Sequence, residues 1–113
     1  MGELVIIEQV GVSGKFTAWH FAPEDGPDAE PHEHTWHVKA KFEAPGRPDG
    51  RCYLAAFRAV LGTFEGAVLP RGKEWCTDIA RAFLTLANCV YVEVERPDDE
   101  SPIHGYAFYR DVS

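Results

Sequence analysis

Hydrophobic and polar residues alternate in two stretches near the start of the chain. From Thr35 to Glu43, Trp36, Val38, Ala40 and Phe42 fall on one face, and His37, Lys39, Lys41 and Glu43 on the other, the period-two pattern of a strand with one buried side. Lys15 to Phe21 behaves alike, with Phe16, Ala18 and His20 on one face and Lys15, Thr17 and Trp19 on the other. Before it, Leu4 to Val10 is rich in β-branched residues and reads as a strand, with Val12-Ser13-Gly14 as the turn of a long hairpin. From Tyr53 to Phe64 the period changes: Leu54, Phe57, Leu61 and Phe64 recur at three and four, the stripe of a helix. Ile79, Phe83 and Leu86 form a second stripe, with Thr77 as N-cap and Asn88 as stop. Alternation returns at Val90, Val92 and Val94, and a last strand spans roughly Gly105 to Arg110. The predicted order is strand-strand-helix-helix-strand-strand, an α+β fold in which an antiparallel four-stranded sheet carries two helices on one face.

At 113 residues the chain holds one domain, 1–113. Its net charge of −7 comes without a Lys/Arg cluster, which removes support for nucleic-acid binding. No apolar run approaches membrane-spanning length, and the N-terminus lacks a basic leader and a cleavage site, so the expected location is the cytoplasm. Cys52, Cys76 and Cys89 are scattered and form no CxxC pair, so they read as free thiols. The acidic stretch Glu24 to Glu30 reads as a solvated loop.

The histidines change the picture. His32 and His34 are two apart at the start of a strand and share the face of Trp36 and Val38, while His20 lies on the apolar face of the preceding strand. If these strands pair, three imidazoles meet at one point. Three neutral imidazoles with an open fourth position is a common catalytic zinc arrangement, and nitrogen ligands favour Zn2+ over magnesium or calcium. His37 falls on the opposite face, outside the metal shell.

Phe16-Thr17-Ala18-Trp19-His20 is similar to the F-x-A-x-H motif of the 6-pyruvoyltetrahydropterin synthase and 6-carboxytetrahydropterin synthase family. His32 to Val38 is similar to its H-G-H-x-Y-x-V motif, and Val94-Glu95-Arg96-Pro97 to its V-x-E-T-P segment. The resemblance covers nearly the whole chain, and the order of elements agrees. It implies that His20, His32 and His34 bind zinc and that Glu95 anchors a pterin ring. It also implies subunits assembled into rings with sites between them, and a lyase that eliminates triphosphate from dihydroneopterin triphosphate. Three features depart from the pattern. The loop before His32 lacks the family's cysteine base, and Asp28 stands nearest its place; Glu65 and Gly66 replace an Asp-His pair; Glu74 to Asp78 replaces P-T-x-E-N. Candidate acid/base residues are therefore Asp28, Glu65 and His104, with His37 behind them.

Three readings follow. The first is a pterin synthase-like lyase with replaced bases. The second is the same fold and zinc serving another reaction, such as a cyclisation, on a different ring-bearing small molecule, with Trp19, Trp36 and Trp75 as candidate pocket residues. The third is a non-catalytic zinc- or ligand-binding module.

Overall fold

The computed structural model describes residues 3–21, 30–45, 49–97, 102–110 and 112. Its elements run β1 (Gln9–His20), β2 (His32–Glu43), α1 (Arg51–Phe64), α2 (Cys76–Leu84), β3 (Cys89–Arg96) and β4 (Ile103–Phe108). The strands form one antiparallel sheet in the order β1-β2-β3-β4, and both helices lie on one face, the predicted α+β architecture. No helix among the described residues is long and apolar enough to cross a membrane.

Alternation builds the core. Phe16, Ala18, Trp36, Val38, Ala40, Phe42, Val92 and Val94 are all buried on the helix side of the sheet. Phe16 and Trp36 are cross-strand partners and stack at 5.3 Å between ring centroids. Phe57 of α1 and Phe83 of α2 meet at 5.1 Å, and Phe64 stacks on both Phe16 and Phe83. Each such aromatic pair adds roughly 0.5–1.5 kcal/mol beyond the area it buries. The helix stripes thus close over the face that the strands leave apolar.

The N-terminal hairpin is a correction. Val12-Ser13-Gly14 is no turn; β1 is one continuous strand of 12 residues, and Leu4–Ile7 precedes it as exposed chain. Gly14 is there for a helix. A Cβ at this position would stand 2.5 Å from Leu61 Cδ1 and 3.2 Å from Phe57 Cε1. Glycine inside a strand marks either a bend or a close approach of another element, and here it is the approach of α1. The N-cap of α2 is Trp75 rather than Thr77, its N–H donating to Asp78 Oδ2 at 3.2 Å. Asn88 does interrupt the chain after α2, taking φ 65° at the turn into β3.

At the far end of β1 the edge is covered. Gly66 N–H donates to Thr17 O, Trp19 N–H to Ala67 O, and Leu69 N–H to Trp19 O, all at 2.7–2.8 Å. Glu65 Oε2 accepts the N–H of Thr17 at 2.9 Å. This seam holds the last residues of β1, and with them His20.

Gly14→Ala is expected to lower the stability to chemical denaturant by about 1–3 kcal/mol through overpacking against Leu61. Gly62→Ala, on the open side of α1 where a Cβ meets nothing within 4 Å, is expected to raise it by about 0.4–1 kcal/mol. Denaturant midpoints of the two variants check both signs.

Candidate metal centre

The register of β1 and β2 pairs His20 with His32 and Ala18 with His34. Side chains on directly opposed residues share a face, so three imidazoles gather at the end of the sheet where the hairpin opens. Their ring centroids are 4.6 to 5.1 Å apart, and one nitrogen from each lies within 4.8 Å of the other two. His20 is 1% exposed, while His32 and His34 are partly open. Trp36 lies beneath them, its ring edge-on to His20 at 5.6 Å and to His34 at 6.0 Å. The result is a cluster with a closed apolar floor and an open outer side.

The donor set fits zinc. Tetrahedral Zn2+ with nitrogen at about 2.0–2.1 Å places its donor atoms about 3.3 Å apart, and the three imidazoles each offer a nitrogen within 4.8 Å of the other two. The ligands are neutral nitrogen donors with no carboxylate among them, a set that suits Zn2+ and other imidazole-binding transition ions rather than Mg2+ or Ca2+. Among the described residues this is the one group of three or more His, Cys, Asp and Glu placed closely enough to hold an ion.

The other site candidates stand elsewhere. His37 is on the outer face, exposed and paired in register with Glu95. Glu95 itself is on that outer face, because Val94 before it is buried in the core; one residue further, Arg96 returns to the face of Trp36. His104 sits on β4, again on the outer face, with Nδ1 3.1 Å from Glu93 Oε1 and Nε2 3.9 Å from Glu95 Oε1. The sheet therefore separates Glu95 and His104 from the triad of their own chain. Glu65 holds the edge of β1 at Thr17, three residues or about 10 Å along the strand from His20. Gly66, beside it, adopts φ 73° in the seam. Asp28 lies outside the described residues. Of the three tryptophans, Trp36 is core, whereas Trp19 and Trp75 are exposed.

None of the cysteines joins the triad. Cys52 is exposed on α1, and Cys76 and Cys89 are buried. Burial pushes the Cys89 thiol above its ordinary value, partly offset by its hydrogen bond to the Tyr91 carbonyl. A buried thiol so held is not an activated nucleophile.

One buried ionisable residue escaped the sequence reading: Glu74, just before α2, which is 2% exposed. No local pattern separates it from a surface glutamate; its one printed hydrogen bond accepts the N–H of Gly72 at 3.1 Å.

The comparisons agree with this architecture. The chain is similar to the solved structure of Plasmodium falciparum 6-pyruvoyl tetrahydropterin synthase, with a TM-score of 0.56 over 91% of this chain and 99% of that one, at 11% sequence identity. At that identity the likeness shows a 6-pyruvoyl tetrahydropterin synthase-like fold. No protein-family model matches the chain, and no curated protein matches its sequence.

His20→Ala, His32→Ala and His34→Ala are each expected to cut bound zinc at least tenfold, measured by metal analysis after gel filtration. His37→Ala is expected to leave it unchanged. Loss of zinc from His37→Ala would mean that the register of β2 is shifted by one residue.

Proposed function

We propose that the chain is a zinc-dependent lyase of the pterin synthase type, acting on dihydroneopterin triphosphate or a related pterin. The observation that carries this reading is the convergence of His20, His32 and His34 on one point of a 6-pyruvoyl tetrahydropterin synthase-like fold. The three histidines would hold Zn2+, which when bound supplies a Lewis acid for a substrate hydroxyl or carbonyl oxygen.

The protein's own residues define the rest. Trp36 closes the inner side of the triad, so substrate approaches from the half-open side of His32 and His34. Proton transfer falls to carboxylates and imidazoles near that opening. Asp28 precedes His32 by four residues, closer in the chain than Glu65 or His104. An ordinary carboxylate is a weaker base than the cysteine and histidine it replaces, so turnover is expected to be slow. Glu95, across the sheet from its own triad, can hold a substrate ring only at the triad of a second copy. Sites between the subunits of a ring would bring this about. Among the described residues, the edge of β4 and the part of β1 before the seam at Thr17 pair with no further strand, and Tyr106, Phe108 and Tyr109 are exposed at the β4 side, which suits such assembly.

A second reading keeps the fold and metal for another ring-bearing substrate. It is favoured by the engagement of Glu65 with Thr17 and by glycine at position 66, which together leave the usual second base pair without a counterpart.

Triphosphate release from dihydroneopterin triphosphate separates the two. Zinc-loaded protein is expected to release triphosphate, His32→Ala to release none, and Asp28→Asn to release less while keeping its zinc. Zinc bound without release selects the second reading.

A further inference from the structure

Four consecutive aliphatic side chains stand in solvent. Leu4, Val5, Ile6 and Ile7 are each at least 61% exposed and belong to no helix or strand. Single exposed apolar residues are ordinary on a protein surface, but a contiguous run marks an interaction site. Val5, Ile6 and Ile7 are β-branched, the composition of a strand. The run leads directly into β1, and Glu8 O at its root accepts the N–H of Ala44 at 3.0 Å, one step beyond the last β1–β2 pair. A cavity of about 80 Å3 beside Glu43 and Pro45 borders Ile6 and Ile7 but leaves both open. Leu4–Ile7 is thus an arm ahead of β1 with the composition of a strand and no strand beside it among the described residues.

The opposite edge of the sheet is β4. Tyr106 and Phe108 are exposed on its outer face, and both rings contact Tyr91 of β3. A strand laid beside β4 would complete its ladder and cover these rings, and aromatic residues opposite β-branched ones are favourable cross-strand pairs. Glu3–Glu8 is six residues long, as is β4. Continuing the alternation of β1 puts Val5 and Ile7 on the outer face, the face of Tyr106 and Phe108. The free stretch Gln9–Lys15 of β1 cannot offer this, because its outer-face residues are Gln9, Gly11, Ser13 and Lys15, while Val10 and Val12 pack on the core. Nor can the arm serve the β4 of its own chain. From β1 to a place beyond β4 is four strand spacings of about 4.8 Å, or about 19 Å, and the five residues from Leu4 to Glu8 span only about 17 Å when extended. Crossing would use up the arm and leave nothing to pair. The arm of a second copy meets no such limit.

We propose that Leu4–Ile7 is an exchange arm that adds as a strand to the free edge of β4 in a second copy of this chain, with Val5 and Ile7 packing against Tyr106 and Phe108. Main-chain bonds along the edge would supply affinity and the side-chain pairs the register, as in other cases of strand addition. The contact is heterologous: the arm of one copy meets the edge of the next, and the arm of that copy remains free for a third. Such contacts make a ring where the rotation closes. The proposal rests on the assembly of copies put forward above, and not on the metal or the substrate. The arm stands at the Gln9 end of β1, opposite the end that carries His20.

Two variants and their mixture test this by sedimentation velocity, with far-UV circular dichroism as the check on folding. Val5→Lys spoils the arm and keeps the edge; Phe108→Lys spoils the edge and keeps the arm. Wild type is expected to assemble, and each variant alone to associate at least tenfold more weakly. An equimolar mixture of the two is expected to form a one-to-one complex, because the intact arm of one still fits the intact edge of the other. Should either variant fail to fold, Ile7→Lys replaces the first and Tyr106→Lys the second. Wild type that stays monomeric overturns the proposal, and so does a folded arm variant that assembles like wild type. Two variants that are monomeric alone and remain so when mixed also overturn it, since that result belongs to contacts of arm with arm or edge with edge. Val5→Lys is expected to keep the zinc content of wild type. Wild type that assembles through the arm yet holds no zinc supports this contact and removes the metal reading alone.

Discussion

The pairing register of β1 and β2 is the constraint on which the site depends. His20 opposite His32 and Ala18 opposite His34 bring three imidazoles from two strands to one place. A slip of one residue would send His32 and His34 to the outer face and Trp36 with them. Several contacts hold the register against that slip. Phe16 and Trp36 stack across the strands, and α1 lies so close that position 14 has room only for glycine. The seam from Glu65 to Leu69 fixes the edge of β1 on either side of Ala18. The apolar core and the candidate metal centre are thus one arrangement, since the same alternation that buries Phe16 and Trp36 points the histidines.

Where the strands have one apolar and one polar face, the sequence is legible. Trp36, Val38, Ala40 and Phe42 announce their face, His32 and His34 follow by parity, and His20 follows from Phe16 and Ala18. The helices declare themselves through Phe57 and Phe83. Other features depend on contacts distant in sequence. Gly14 resembles a turn residue until α1 is in place, and Leu4–Ile7 has strand composition but no partner strand among the described residues. Glu74 resembles any surface glutamate, yet it is buried. Glu95 resembles an anchoring glutamate by type; alternation sets it back to back with the triad of its own chain, and Arg96 occupies the inner face.

On the proposed function, the metal-binding half and the proton-transfer half of the site are built differently. The three histidines sit on paired strands, whose geometry the core determines. Among the described candidate bases, Glu65 follows α1 and His104 lies on the edge strand β4, on the outer face of the sheet. On the proposed function, such an arrangement would allow the metal site to be kept while the acid/base residues change. Fold alone does not fix the reaction.

X-ray absorption at the zinc edge of the metal-loaded protein tests the central claim most directly. The account predicts three imidazole nitrogens at about 2.0–2.1 Å and one further light ligand. A spectrum with sulfur in the first shell, or with oxygen ligands alone and no imidazole scattering, would contradict it.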